Sequence, residues 1–337
     1  MREEYELEVL EKYDLEVRGT RRIRGAFFCD TNEGAMLLRE TKLSEQRALF
    51  LYQVLSRLET ESDLKVDTPV FTADGSILAV REDGRKFMLK KWYDGRECDV
   101  RQESEALRAA AQLARLHNGL NDERITELCR ACPEIAGTAP DPTDELLRHN
   151  RELKKVRRFI RSRPVKSAFE YLFLESFDRM YGMAEQVAGR MKNSGCAALY
   201  GRSVREGRLF HGACNYHNLL AEEDGIAVTD FERMKSGIQV YDLYYFLRKV
   251  MEKYSWKQKT GQKLLEAYER IRPLDAGERE YIGLMLAYPE KYWKTAGNYY
   301  RSNKAWMPEK NREKLQLVLR QCGEKQAFLE QIFSVVI

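Results

Sequence analysis

The sequence lacks any long apolar run. None of its 337 residues belongs to a stretch that approaches the roughly 18 consecutive apolar residues of a membrane span. The first residues, from Met1 to Glu8, are mostly charged and carry no apolar leader segment. We therefore expect no membrane association, and we expect the chain to stay in the cytoplasm or on an assembly within it.

Regular cysteine spacing and a strong charge bias are also missing. The seven cysteines are odd in number and scattered, whereas disulfide-stapled secreted domains carry even numbers at short spacings. A net charge of +4 is small for this length, so composition does not predict binding to nucleic acid. Charged residues (33%) and hydrophobic residues (43%) are interspersed, which indicates a globular protein of about two domain lengths.

Strand-like runs are confined to the first part of the chain. They are separated by turn signals such as Asp74-Gly75 and Asp83-Gly84. An N-cap at Ser44 indicates that a helix follows the first hairpin. The pattern predicts a short helix over residues 5–14 and strands over residues 21–30, 35–41, 68–72, 76–81 and 85–92.

Past residue 102 the pattern becomes helical. Apolar side chains recur at helical spacing, and this predicts helices over 102–118, 143–162, 166–192 and 240–254, with two or three more between 258 and 332. We therefore expect an α+β protein of the two-lobed, protein-kinase-like fold. Residues 1–94 would form a small five-stranded antiparallel lobe and residues 95–337 a large, mostly helical lobe. A nucleotide would lie in the cleft between them.

A polar loop between short strands interrupts the helical part. It runs from His211 to Asn218 and is followed by Asp230. An Asn amide and an Asp carboxylate on neighbouring strands are hard oxygen ligands that Mg²⁺ takes when it bridges ATP phosphates. We therefore predict that Asn218 and Asp230 hold Mg²⁺ over ATP. In kinase-like loops an Asp five residues before the metal-binding Asn takes the acceptor proton, and here that position is Ala213.

Four motifs in a fixed order carry a family resemblance. They are Trp92-Tyr-Asp-Gly-Arg-Glu-Cys98, His211-Gly-Ala-Cys-Asn-Tyr-His-Asn218, Asp230-Phe-Glu-Arg233 and Asn303-Lys-Ala-Trp306. With these motifs the chain resembles the choline-kinase and aminoglycoside-phosphotransferase branch of the kinase fold, and more closely the CotS-type spore-coat proteins. The resemblance implies an ATP- and Mg²⁺-dependent phosphotransferase for small-molecule hydroxyls, deposited in the spore coat with other coat proteins. The family pattern has its catalytic Asp where this chain has Ala213.

The resemblance also implies roles for single residues. Arg39 stands where the fold has its phosphate-binding Lys. Glu45 is its candidate ion-pair partner, or alternatively a first-turn Glu that complements the helix dipole. Tyr93 and Asp94 lie at the hinge and would contact the nucleotide. His211 would brace the metal-binding segment through hydrogen bonds, without proton transfer.

Other conspicuous residues have structural explanations. Asp242 matches an aspartate at the start of a large-lobe helix, and we expect it to cap that helix. The basic run over residues 151–163 has its apolar residues on one helical face, which favours a solvated cationic face over a nucleic-acid site. Some aromatic side chains could stack on an acceptor, although their helical spacing favours the core. These are Tyr288, Tyr292, Trp293 and Trp306.

The missing carboxylate at Ala213 leaves the function open. Loss of a general base costs about 10²- to 10⁴-fold in rate, but phosphoryl transfer depends mainly on positioning and charge neutralisation. The sequence is compatible with a natural pseudokinase that binds nucleotide or only scaffolds the spore coat. It is also compatible with a weakened enzyme that uses another group, for which His217 and Asn215 are poor candidates. A third account is an engineered alanine that traps a complex.

Overall fold

The computed structural model describes residues 5–23, 25–301 and 308–337. The motif from Asn303 to Trp306, including the possible stacking residue Trp306, lies outside these ranges. In the part of the chain that is described, no helix combines the length and the apolar content needed to cross a membrane.

A five-stranded antiparallel sheet forms the first lobe, in the order β1-β2-β3-β5-β4. Its strands are β1 (Val17–Ile23), β2 (Ala26–Thr31), β3 (Gly34–Thr41), β4 (Ala79–Val80) and β5 (Lys86–Lys91). Helix α1 (Tyr5–Leu10) covers one face, where Val9 packs with Leu38 and Leu89. Helix α2 (Glu45–Ser62) covers the other face, where Ala48 packs with Met88. Because both faces are covered, the buried side chains of the central strands are mostly apolar, and Lys90 of β5 is an exception.

The predicted count of five strands is confirmed, but two of the predicted strands are wrong. Residues 21–30 belong to two strands, because Gly25 turns the chain between β1 and β2 with a φ of +81°. Residues 68–72 form no strand and contribute a single bridge between Pro69 and Lys90. A proline has no N–H to give to a strand ladder. The first helix is also shorter than predicted and ends at Leu10.

The second lobe is mostly helical, and its helices pack around one apolar core. The four long helices predicted from periodicity are confirmed to within a few residues at each end. Beyond residue 258 there are five helices in the described residues, where two or three were predicted. The helices are α3 (Glu103–Leu120), α4 (Glu123–Ala131), α5 (Pro133–Ala136), α6 (Pro142–Ser162), α7 (Ala168–Asn193), α8 (Cys196–Arg205), α9 (Tyr241–Met251), α10 (Gln258–Glu269), α11 (Ala276–Ala287), α12 (Glu290–Arg301), α13 (Pro308–Arg320) and α14 (Cys322–Phe333).

Local capping fixes where several of these helices begin. The Ser44 hydroxyl accepts a hydrogen bond from the Arg47 N–H at the start of α2. Asp141 caps α6, whose first residue is Pro142. Ser167 begins α7 through a reciprocal capping box with Glu170. Each start is thus set by side chains within four residues of the helix.

Arg47 of α2 attaches the sheet lobe to the helical lobe. Its Nη1 donates to the carbonyl oxygens of Ile135 and Ala136, both at 3.0 Å, and its Nη2 donates to the carbonyl of Met234. Burial lowers the pKa of Arg47 to about 10. A charged group that satisfies three backbone acceptors fixes the position of α2 against the polar loop region.

Two small sheets frame the polar loop. β8 (Leu219–Ala221) pairs with β9 (Ile226–Val228) and with β6 (Arg96–Glu97), which follows the hinge. β7 (Leu209–Phe210) pairs instead with β10 (Lys235–Ser236). The loop over residues 211–218 therefore leaves one small sheet and enters the other. Asp230 lies just beyond β9, on the way to β10.

Candidate functional site

An open cavity of about 460 Å³ lies between the two lobes. Its volume is in the range of small-molecule sites in proteins. Basic side chains of the sheet, the hinge and polar residues of the loop region line it. These lining residues include Arg21, Arg39, Lys90, Tyr93, Asp94, Asn218 and Asp230.

Asp242 holds the start of the polar loop. Its Oδ2 accepts a hydrogen bond from the His211 N–H at 2.6 Å, and its Oδ1 accepts one from the Gly212 N–H at 2.9 Å. The predicted helix cap is therefore wrong: the N-cap residue of α9 is Val240, and the Asp242 carboxylate serves the loop instead. Gly212 has a φ of +77°, and a Cβ there would lie 2.4 Å from the Arg233 carbonyl oxygen. Only glycine fits this position without a backbone shift.

Both ring nitrogens of His211 bond to the backbone. Nε2 donates to the Thr229 carbonyl at 2.9 Å, and Nδ1 accepts from the Ala213 N–H at 3.1 Å. This pattern selects the neutral tautomer with its proton on Nε2. The ring ties the loop to the residue before Asp230. Because the side chain is fully buried and both nitrogens are engaged, His211 is not placed to exchange a proton with a ligand.

Ala213 contributes a carbonyl oxygen to the loop. This oxygen accepts hydrogen bonds from Nδ2 of Asn215 at 2.9 Å and from Nδ2 of Asn218 at 3.0 Å. The side-chain oxygen of Asn215 accepts the His217 N–H and caps a short 3₁₀ helix, Tyr216–Asn218. The His217 ring bonds through Nδ1 to Oε2 of Glu97 at 2.7 Å. Asn215 and His217 therefore both hold the loop in shape.

Asp230 has a left-handed backbone, with φ 70° and ψ 55°. This conformation costs about 1–2 kcal/mol for a residue with a Cβ. Asp67 supports it, because its Oδ2 accepts the Asp230 N–H at 2.9 Å. Arg39 places Nη1 3.1 Å from Oδ1 of Asp230. The cation predicted to bind phosphate thus neutralises the carboxylate predicted to bind the metal.

A buried ion pair lies next to Asp230. The Lys90 and Asp67 side chains are 3% and 1% exposed, and Nζ lies 3.2 Å from Oδ2. Oε1 of Glu232 lies 3.7 Å from the same Nζ. Burial opposes the charge on Lys90, but the nearby carboxylates of Asp67 and Glu232 outweigh it and raise the pKa of Lys90. Lys90 is therefore a permanent cation at the base of the cavity.

Asn218 and Asp230 line the same cavity. Within the described chain, the amide oxygen of Asn218 and Oδ2 of Asp230 accept no hydrogen bond. Two hard oxygens of this kind suit a divalent cation that takes its other ligands from phosphate and water. No group of three or more His, Cys, Asp or Glu converges on a metal position in the described residues. The pair therefore fits Mg²⁺ only together with a phosphate-bearing ligand.

The predicted ion pair between Arg39 and Glu45 is wrong. Arg39 pairs with Asp230, and Oε1 of Glu45 accepts the Ile77 N–H at 3.0 Å. Glu45 is the first residue of α2, where a carboxylate complements the helix dipole, as the alternative interpretation has it. It fastens the segment before β4 to that helix and takes no direct part in the Arg39 contact.

The hinge residues line the cavity with Arg39. Tyr93 and Asp94 both face it, and the Tyr93 hydroxyl donates to the Val66 carbonyl at 2.8 Å. Burial raises the pKa of this hydroxyl, so it stays protonated and able to donate. Tyr93 thereby fixes the backbone next to Asp67.

Sequence reasoning missed Lys90 and Asp67. A signal for Lys90 exists, because side chains two apart on a strand share a face and Lys90 follows the buried Met88. A lysine on a buried face needs a partner. Its partner lies 23 residues earlier, and no local pattern connects the two positions.

Residues 21–281 match the model of the APH phosphotransferase enzyme family. The match runs from β1 into α11 and includes the polar loop, Asp230 and the buried ion pair. The chain belongs to the phosphotransferase enzyme family.

Individual relatives of this family member agree with that result. Spore coat protein S of Bacillus subtilis (strain 168) is 21% identical over 306 residues, which cover 90% of this chain and 85% of the relative. An aminoglycoside phosphotransferase from Alicyclobacillus acidocaldarius superposes with a TM-score of 0.84 at 17% identity, covering 97% of this chain and 94% of the other. A spectinomycin phosphotransferase, in complex with ADP and spectinomycin, gives 0.67 at 12% identity, covering 98% and 99%. The predicted family resemblance and the two-lobed, kinase-like α+β fold are confirmed.

Proposed function

We propose that this family member binds ATP in the interlobe cavity, with Mg²⁺ held by Asn218 and Asp230, and that its transfer of phosphate to a small-molecule hydroxyl is weak. The observation that carries the proposal is that both residues line one open cavity together with Arg39. The spectinomycin phosphotransferase of the same fold was solved with ADP, which supports a nucleotide as the ligand here.

Arg39 is the residue that changes partner in this proposal. In the ligand-free chain its guanidinium neutralises Asp230 at 3.1 Å. A phosphate group offers stronger, bidentate acceptors, so Arg39 turns to the phosphate and leaves the Asp230 carboxylate free. Mg²⁺, when bound, supplies charge neutralisation for the transferred phosphoryl group. Asp67 keeps the Asp230 backbone in place throughout.

Ala213 limits the chemistry. Its methyl group cannot accept the proton of an acceptor hydroxyl, and neither Asn215 nor His217 is free to replace it, because both are engaged in holding the loop. Loss of a general base costs about 10²- to 10⁴-fold. Positioning by Arg39 and Asp230 remains, so slow turnover is the expected activity.

A thermal-shift titration tests the nucleotide part. ATP at about 100 times its Kd should stabilise the chain by about 2.7 kcal/mol, with a larger shift when Mg²⁺ is present. The variant Asp230→Asn should lose the Mg²⁺-dependent increment. Asp30→Asn removes an exposed carboxylate of the sheet lobe and serves as the matched control. Absence of an ATP shift with and without Mg²⁺ would overturn the proposal.

A structural role in the spore coat is the second candidate. It is favoured by Ala213, by the Arg39–Asp230 pair, and by the relative named spore coat protein S. In this candidate the fold persists, other coat proteins are the partners and the chemistry is lost. The variant Ala213→Asp restores the carboxylate and separates the two candidate functions. A site that lacks only its base should then release ADP faster than background. Background turnover in that variant would favour the structural role.

A further inference from the structure

A second cavity of about 400 Å³ lies within the helical lobe. It shares no lining residue with the interlobe cavity. It reaches the polar loop at Gly212, the neighbour of Ala213, and the segment after Asp230 at Arg233. The loop that carries the missing base therefore borders both cavities.

Two cations without partners stand on one wall of this cavity. Arg233 and Lys235 both line it and are exposed. In the part of the chain that the structure describes, neither forms a hydrogen bond or an ion pair through its side chain. Arg233 ends the short 3₁₀ helix Phe231–Arg233 and Lys235 begins β10, and both side chains line this one cavity. Both charges are thus available to one ligand.

The other walls carry tyrosines and one carboxylate. Tyr281 of α11 lines the cavity and is only 2% exposed. Its hydroxyl has no hydrogen-bond partner among residues 5–23, 25–301 and 308–337, although buried tyrosine hydroxyls usually find one. Tyr241 and Glu145 also line the space, and burial raises the pKa of Glu145. These groups suit the hydroxyls of a ligand.

The charges of the walls decide which kind of ligand fits. Arg233 and Lys235 against Glu145 give a lining with a net charge of one positive unit. A polycation would meet two unpaired cations and one carboxylate of raised pKa. A neutral polyol would leave both cations without a partner. An anion that also carries hydroxyls satisfies the cations and the Tyr281 hydroxyl together.

We propose that this cavity binds a small hydroxylated anion, a polyol with one carboxylate or phosphate group. Arg233 and Lys235 take the anionic group, and Tyr281 bonds a ligand hydroxyl. Such binding needs no nucleotide. Its use as the acceptor pocket, with a ligand hydroxyl beside Ala213, rests on the proposed function.

Ligand-observed NMR on the full chain, without nucleotide, tests the proposal. D-gluconate and D-glucitol 6-phosphate serve as carboxylate and phosphate probes, with neutral D-glucitol and cationic D-glucosamine as comparators. At least one anion should bind about tenfold more tightly than both comparators, because only the anions form charge-assisted hydrogen bonds to Arg233 and Lys235. Binding of neither anion, or equal binding of D-glucitol, would overturn the proposal.

Two variants locate the binding. The exposed pair Arg233→Gln and Lys235→Gln should together weaken anion binding by about tenfold or more. The matched double variant Lys155→Gln and Arg158→Gln, on the solvent face of α6, should leave it unchanged. Equal loss in both double variants would show nonspecific attraction to positive charge and refute the site.

Tyr281→Phe separates binding from folding. Its hydroxyl has no described partner to lose, so the thermal midpoint should stay the same while anion affinity falls several-fold. Unchanged affinity would refute the role of Tyr281. The Mg²⁺-dependent ATP increment depends on Asp230, whereas anion binding depends on Arg233 and Lys235, so failure of either result leaves the other standing.

Discussion

The buried pair of Lys90 and Asp67 should dominate the stability of the sheet lobe. At 3.2 Å and an effective dielectric constant of about 20, two unit charges attract by about 5 kcal/mol. Desolvation offsets part of this, but removing one partner leaves the other charge buried and unpaired, at a cost of about 3–5 kcal/mol. Lys90→Met should therefore lower the free energy of unfolding by about 3–5 kcal/mol.

The next residue on the strand provides the control. Lys91 pairs with Glu59 at 3.0 Å, but its side chain is 51% exposed, and exposed pairs contribute about 0–1 kcal/mol. Lys91→Met should therefore cost less than about 1 kcal/mol. Asp67→Asn, alone and combined with Lys90→Met, completes a double-mutant cycle. The coupling energy should exceed about 2 kcal/mol, because the double variant leaves no unpaired charge.

Urea unfolding, followed by tryptophan fluorescence and circular dichroism, measures these costs. Coincident transitions by both probes are required before free energies are compared, since two lobes can unfold separately. The reasoning fails if Lys90→Met and Lys91→Met cost the same, or if the cycle gives no coupling. Either result would mean that Asp67 is not the group that compensates the Lys90 charge.

Three further predictions address the loop, the acid response and the cavity. Gly212→Ala should cost at least about 2 kcal/mol more than Gly84→Ala by chemical unfolding, because both have φ near +78° but only a Cβ at position 212 meets a backbone carbonyl, at 2.4 Å. Burial lowers the pKa of His149 from 6.5 to about 4. The free energy of unfolding should therefore fall by about 1.4 kcal/mol per pH unit as the pH is lowered from 6.5 towards 4, because the unfolded chain binds the proton at a higher pH than the folded chain does. His149→Phe should flatten this pH dependence, and an unchanged dependence in that variant would contradict the assignment to His149. Arg39→Gln should change the free energy of unfolding of the ligand-free chain by less than about 1 kcal/mol. The same variant should weaken ATP binding about tenfold, whereas the control Lys42→Gln should leave ATP binding unchanged.

Features encoded within a few residues were predictable from the sequence. Helix starts such as Ser44 and Ser167 depend on side chains that cap their own helix, and helical periodicity marks the buried face. The polar loop was recognisable because the strands around it are short and end abruptly at polar residues. The placement of Asn218 and Asp230 on one cavity follows from the β8–β9 hairpin between them.

Contacts between distant positions were not predictable in the same way. Arg39 and Asp230 are 191 residues apart, and nothing local favours this pair over the one with Glu45. Asp242 reaches the loop 30 residues earlier because its carboxylate is better satisfied by two loop N–H groups than by its own helix. Such choices depend on which groups burial leaves without partners.

We expect Ala213 to affect the proposed nucleotide binding as well as the proposed chemistry. The Ala213 N–H bonds to the His211 ring, which bonds in turn to Thr229, the residue before Asp230. A carboxylate at position 213 would add a negative charge to the loop that brings Asn218 to the interlobe cavity, where Arg39 pairs with Asp230. A second negative charge there would repel the phosphates.

Ala213→Asp should consequently raise turnover by up to about 10²- to 10⁴-fold while it weakens metal-free ATP binding. A repulsion of about 1.4 kcal/mol between the added carboxylate and the phosphates would weaken ATP binding about tenfold in Kd. Ala213→Asn has nearly the same size without the charge, so it should change neither quantity by that much. Tighter ATP binding in Ala213→Asp than in Ala213→Asn would show that the charge of this cavity is balanced by groups other than Arg39.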